Sequence, residues 1–339
     1  MENVHTKTNI HVLAIPVTGV GLGGGFKSNR WFAHRIKIFK EYTLKSLANQ
    51  NNKDFLVWVW MRPEEKENPL TQEIINALED SGLTYHISYD GLLYWDDKFT
   101  VQNLKTKLRN FAKMFWDGWH EKDLKPISQI LKYAWEEKNK TLPKRLKHAL
   151  EGLKTALRVK EYDWVYLTRL DSDDMLHMEA VDLIQSREPD WKKALVMDKG
   201  YMYNTVTGQL GEWLPPTNPP FHTITFPATH FFGTGKHLSY YGDFRSHEDI
   251  PKVFKCETLD LYKYCVTAHG KDHISTAWDV PLPKRIYQAF KYRPYCYTSS
   301  GRNISTRWQS RTTKRKNFML GEIFSDKEQI KAILSDFGV

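Results

Sequence analysis

Apolar residues along this chain keep two periods. Short β-branched and aromatic runs at IHVLAIPVT (10–18), DFLVWVWM (54–61), LTYHISYD (83–90) and DWVYLTRL (163–170) predict strands. Continuous apolar runs of that length suit strands buried on both faces. Between the first two, SNRWFAHRIKIFKEYTLKSLANQ (28–50) predicts a helix, with Ser28 as its N-cap and Trp31, Ile36, Phe39, Leu44 and Leu47 near helical spacing. A second helix, TQEIINALEDSG, opens near Pro69 and Thr71 and stops at Gly82. Strands and helices alternating in this way argue for a parallel sheet covered by helices.

Further along, residues 101–160 read as helical and charged. Leu142, Leu146, Leu150, Leu153 and Leu157 recur every three or four positions, a core-facing stripe with lysines and arginines on the outer face. MEAVDLIQ (178–185) predicts a short helix, and ALVMDKGYMYN with GQLGEWL a hairpin or meander. Residues 214–236, rich in Pro, Gly, Thr and aromatics, read as loops and short strands. The expected architecture is an α/β domain over 1–300, with a mostly parallel central sheet flanked by helices and a helical insertion at about 101–160. A basic tail, 301–339, follows and ends in the short helix of SDKEQIKAILSDFGV.

Of the 339 residues 41% are hydrophobic and 14% aromatic, enough for a sizeable core and against a disordered chain. No segment approaches the roughly 20 apolar residues of a membrane helix. The polar start, MENVHTKTNI, lacks the apolar core of a signal peptide, so the expected compartment is the cytoplasm. Cys256, Cys265 and Cys296 form no CxxC pair, which argues against a zinc site or a disulfide framework. A net charge of +9 points to an anionic partner (nucleotide, phospholipid surface or nucleic acid) or to a solvated basic surface.

Against that balance, LTRLDSDDML (168–177) crowds Asp171, Asp173 and Asp174 at the end of an apolar strand. Open α/β sheets bind ligands outside the carboxyl ends of their strands. Like charges this close repel unless something positive stands among them. A divalent cation, Mn²⁺ or Mg²⁺, is the simplest counter-charge for carboxylate oxygens. An acidic loop tip, with Asp174 favouring the dipole of helix 178–185, is the alternative. Strand alternation sends Arg169 to the opposite face, unless a bend at the strand end turns it toward a phosphate.

An Asp-x-Asp after an apolar strand in mid-chain resembles the metal and nucleotide-sugar motif of GT-A glycosyltransferases. The fuller string WVYLTRLDSDDMLHMEAVDLIQ resembles the family of rhamnosyltransferases that carry a Thr-Arg-Leu-Asp-(Asn/Ser)-Asp-Asp segment. RIKIFKEYTLKSLANQNNKDFLVWV matches it as well, and the similarity covers roughly 10–60 and 163–185. VTAHGKDHIST (266–276) fits more loosely and departs from the pattern at Asp272 and His273. The resemblance implies a metal-dependent transfer of a sugar, rhamnose by the family's label, from a UDP-, dTDP- or GDP-linked donor to a glycan or lipid-linked acceptor. It implies Asp171 at the ribose, sugar or metal, Asp173 on the metal, and Asp174 on the acceptor or behind the metal. His273, with His269 in reserve, would complete the metal shell. Glu248 and Asp249 in SHEDIPKVF would supply the base of an inverting transfer; they also suit a helix start capped by Ser246. Thr18, Arg30, Arg35 and Asp90, with Arg169, are the expected nucleotide contacts.

Other chemistries compete. GVGLGG (19–24) satisfies GxGxxG, but the next helix starts near Ser28, not on the third glycine, and Glu64 comes about 40 residues on, not the ~20 a dinucleotide site needs. A dehalogenase-type phosphatase also uses Asp-x-Asp after a strand, with one aspartate as nucleophile. RNISTRWQSRTTKRKNF (302–318) interleaves basic and aromatic residues. It suits peripheral contact with an anionic membrane or, equally, nucleic acid, although a nucleic-acid module has no use for the acidic cluster.

Overall fold

The first strand forms where a β-branched, apolar run can be buried from both sides. In the computed structural model, which describes residues 8–18, 29–90, 142–157, 162–191, 193–205, 208–213, 221–233, 254–268 and 320–339, β1 (Asn9–Pro16) lies mid-sheet. It pairs in parallel with β2 (Leu56–Trp60) and with β4 (Trp164–Arg169). β3 (Tyr85–Ser88) extends the β2 side in parallel. On the other side of β4 come β9 (Phe221–Pro227), β6 (Lys193–Met197) and β10 (Lys255–Thr258), giving the order β10-β6-β9-β4-β1-β2-β3. β9 alone of these seven runs antiparallel to its neighbours. This is the mixed α/β, mostly parallel arrangement expected from the sequence.

Helices cover both faces. On one, α1 (Asn29–Ile38) passes through a π-turn, Phe39–Thr43, into α2 (Leu44–Ala48). With α3 (Thr71–Asp80) and α5 (Ala180–Gln185) they bury Phe32, Ile36, Phe39, Leu47, Ile74, Leu78 and Ile184 against Leu13, Ile15, Val57 and Val59. α3 ends at Gly82, whose φ of +67° only glycine adopts readily. On the opposite face α4 (Leu142–Ala156) presses Leu146, Leu150 and Leu153 onto Val12, Leu56 and Trp58. The leucine stripe does what its period predicts; the rest of the expected insertion, 101–141, lies outside the described residues.

A second sheet has the order β12-β8-β7-β11-β5. Its strands are β5 (Met175–Leu176), β7 (Gly200–Asn204), β8 (Gln209–Trp213), β11 (Tyr264–Ala268) and β12 (Leu320–Phe324). β7 and β8 are the expected hairpin, but β6, read with them, belongs to the central sheet. Within 214–236, read as loops and short strands, FHTITFP forms the seven-residue β9, followed by the unexpected short helix α6 (Ala228–Phe231); 214–220 and 234–236 lie outside the described residues. At the end of the chain α7 (Lys327–Ser335) packs Ile330, Leu334 and Phe337 with Met175, Leu210 and Cys265.

Candidate functional site

Ligand crevices of open α/β sheets form where the strand order reverses, beyond the carboxyl ends. Here that point lies between β1 and β4, because the chain builds β2 and β3 on one side of β1 and then returns to place β4 on the other. The Leu170 N–H donates to Ala14 O at 3.1 Å, keeping the chain beside β1 for one residue past β4. A tight turn follows, closed by Asp174 N–H to Asp171 O at 3.1 Å, and the chain leaves the central sheet as β5. The acidic loop thus stands at the reversal point.

Its three carboxylates have three environments. Asp171, at 36% side-chain exposure, accepts from Arg169 Nη2 at 3.1 Å and Nε at 3.3 Å. Arg169 and Asp171 stand two positions apart and so share a face by strand alternation; the expected separation of Arg169 from the loop therefore does not hold. Asp173, at 18%, takes Arg35 Nη1 from α1 at 2.8 Å. Asp174 turns inward: it is 5% exposed and accepts from Thr267 N–H at 3.3 Å. Burial, then the charges of Asp173 and Asp171, push the Asp174 carboxyl well up, while the Thr267 amide and Arg35 pull the other way. It does not cap a helix: α5 begins after Glu179, with no side-chain cap.

The loop is fastened from both ends. Gln50, 2% exposed, donates from Nε2 to the carbonyls of Leu176 (3.3 Å) and His177 (2.8 Å) and accepts at Oε1 from Val181 N–H at 3.1 Å. Ser46 Oγ accepts from Leu176 N–H at 3.2 Å. Thr267 Oγ1 donates to Asp173 O. The stretch TLKSLANQ, noted at first only for its resemblance, is thus the clamp on the segment just past the carboxylates.

The other expected contacts are dispersed. Thr18, 3% exposed, ties β1 to β2: its N–H donates to Trp60 O at 3.2 Å and its Oγ1 accepts from Arg62 N–H at 2.9 Å. Asp90 stands past β3 and holds α4, through His148 Nδ1 at 2.7 Å and Arg145 Nη1 on its carbonyl at 3.0 Å. Arg30 begins α1. Glu248, Asp249, His269, His273, the glycine-rich GVGLGG and the basic 302–318 lie outside the described residues.

Sequence reading missed a neighbour of the loop. β4, β6 and β10 each leave the central sheet at the same edge and cross into the second sheet. Asp198 lies in the β6 crossing, and Tyr264 opens β11 after the β10 crossing. Among the described residues the buried Tyr264 hydroxyl and Asp198 Oδ1 have no hydrogen-bond partner. Burial, then the charges of Asp174 and Asp198, push the phenol up. The packing is close: a Cβ on Gly200 would lie 2.5 Å from Tyr264 O, so glycine is required there. No local pattern announces Tyr264, which comes 90 residues after Asp174.

No group of three or more His, Cys, Asp or Glu suited to a metal occurs among the described residues. Asp171 and the part-buried Asp173 nevertheless suit a hard cation that takes one or two carboxylates and completes its shell with phosphate oxygens and water. Asp174 is less suited, because it is 5% exposed and one of its oxygens accepts from Thr267 N–H.

No family model matches this chain. No curated protein matches it either. Among solved structures it is similar to S. aureus TarS: residues 1–349 of that protein align with TM-score 0.34 and 12% identity over 76% of this chain and 60% of that one. A longer S. aureus TarS structure aligns with TM-score 0.33 and 11% identity over 89% and 47%. The chain thus spans about half to three-fifths of the proteins it is matched to. Likeness at that level carries no argument about activity, which rests on the site itself. No helix among the described residues is long and apolar enough to cross a membrane.

Proposed function

We propose that this protein transfers a sugar from a nucleoside-diphosphate donor to a hydroxyl of a glycan or lipid-linked acceptor. The observation that carries the reading is the loop at the reversal point, where Asp171 and the part-buried Asp173 stand with Arg169 and Arg35 against them. Carboxylates beside guanidiniums at the carboxyl edge of a sheet suit a ligand with both a cation and a diphosphate. Asp171 and Asp173 would hold Mn²⁺ or Mg²⁺, with His273 as a further ligand. When bound, such a cation neutralises charge developing on the leaving diphosphate. Arg169 and Arg35 would meet the phosphates, and Thr18, Arg30 and Asp90 the nucleoside.

In the transfer, Asp249 or Glu248 takes the acceptor's O–H proton. The acceptor oxygen bonds to the anomeric carbon, and the bond from that carbon to the diphosphate oxygen breaks, its electron pair leaving on the diphosphate. Attack from the far side inverts the anomeric centre. Rhamnose is the sugar the family label suggests, on a UDP-, dTDP- or GDP-linked donor. The basic 302–318 would rest on the anionic face of a membrane that carries the acceptor. The unpaired Cys256 and Cys265 support a cytoplasmic place.

The test is release of nucleoside diphosphate from UDP-, GDP- and dTDP-linked sugars with Mn²⁺. Asp173→Ala should abolish release, and Asp249→Asn should lose release yet still bind donor. Undiminished release in Asp173→Ala would remove the loop from the chemistry.

A further inference from the structure

Arg35 reaches Asp173 from a different element. Its Nη1 stands 2.8 Å from Asp173 Oδ2, with side-chain exposures of 12% and 18%. The Arg169–Asp171 pair, by contrast, lies within one strand end. A carboxylate oxygen held by a guanidinium is not offered to a cation, and a half-buried pair resists screening by salt more than a surface one. The helical rod that carries Arg35 is also fixed to the loop. Ser46 and Gln50, further along it, bind the backbone at 176–181. Arg35 can therefore leave Asp173 only by turning its side chain, not by moving the rod.

We infer that Arg35 is the residue that couples cation binding to diphosphate binding, holding Asp173 when the site is empty and moving to the diphosphate when donor enters. This rests on the nucleotide-sugar reading above. A guanidinium prefers the two-oxygen face of a phosphate, and a diphosphate offers several such faces. Arg35 then acts with opposite signs on the two ligands. It opposes a cation that arrives alone, because both want Asp173. It favours the diphosphate, and by leaving releases Asp173 to the cation. Such coupling is reciprocal by thermodynamic necessity. It offsets the Asp173 charge in the empty loop and makes donor and cation bind as a pair.

The experiment uses Arg35→Gln in the full chain, with two readouts that need no turnover. Electron paramagnetic resonance measures Mn²⁺ binding without nucleotide, and calorimetry measures UDP, GDP and dTDP binding at saturating Mn²⁺. Arg35→Gln should bind Mn²⁺ alone about tenfold more tightly and the preferred diphosphate about tenfold more weakly, the scale of one charge-assisted hydrogen bond. Arg35→Lys, which keeps the charge without the fork, should fall between wild type and Arg35→Gln in both and serves if the glutamine variant does not fold. A merely structural arginine would weaken both ligands when replaced. Unchanged or weaker Mn²⁺ binding, or unchanged diphosphate binding, overturns the coupling. If wild type with Mn²⁺ binds no nucleoside diphosphate, it is the nucleotide-sugar reading that falls, a result distinct from wrong signs at Arg35.

Discussion

His11 sits in the middle of β1, 2% exposed, yet carries a side chain that usually titrates near neutrality. Its Nδ1 lies 3.3 Å from Gln185 Nε2, a donor, so Nδ1 accepts. Nε2 then carries the proton and donates to Thr168 Oγ1 at 2.7 Å, and Thr168 passes the chain to Thr223 Oγ1 at 2.5 Å. Polar atoms from β1, β4 and β9 are thus satisfied inside the sheet, one strand position below the acidic loop. Burial holds the imidazole down to about 3. The unfolded chain's histidine takes a proton near 6.5, so below that pH the unfolded state binds the extra proton and the folded state loses stability. Urea unfolding at pH 7 and pH 5 should show wild type losing about 2 kcal/mol more than His11→Gln. Parallel losses in the two proteins would contradict a neutral, buried His11. At this scale the sequence singled out three carboxylates after an apolar strand, and the structure places them together at the reversal point. It did not show their directions. Asp174 turns inward to the Thr267 amide, a partner that comes from the fold.

Among the elements, those with one strong period were legible. β1, β2, β4, α3 and the leucine stripe of α4 lie within a few residues of their expected positions. β9 was legible only as one of the short strands of 214–236, because FHTITFP is half polar, follows Pro219 and Pro220 and ends in Pro227. Its Thr223 and Thr225 are buried because partners from other elements satisfy them: Thr168, and the backbone of Asp190. Propensity rules cannot see such pairs. The rod from α1 to α2 had the converse fate, a helix plainly legible whose purpose was hidden. Gln50→Leu would remove the partner of the Val181 amide and the Gln50 donors to the Leu176 and His177 carbonyls, the latter keeping the Ala180 N–H. The expected cost is about 2–4 kcal/mol, since buried polar groups left unsatisfied cost more than a made hydrogen bond contributes. Chemical unfolding measures it, and a cost below about 0.5 kcal/mol, the range of an ordinary surface change, would deny the clamp.

The whole molecule places two sheets edge to edge so that three strands of one feed the other across a single seam. The apolar cores on both faces of the central sheet give that seam a rigid base. What gathers there is charged: Asp171 and the part-buried Asp173 with their arginines, Asp174 and Tyr264 within. A ligand that binds only the folded protein raises its melting temperature. The most direct measurement is therefore thermal melting of wild type and Asp173→Ala with UDP, GDP and dTDP, each with and without Mn²⁺. One nucleoside diphosphate should raise the melting temperature of wild type only when Mn²⁺ is present, and should not raise that of Asp173→Ala. No shift with any of the three, or an equal shift in Asp173→Ala, would contradict a loop built to hold a cation and a diphosphate together.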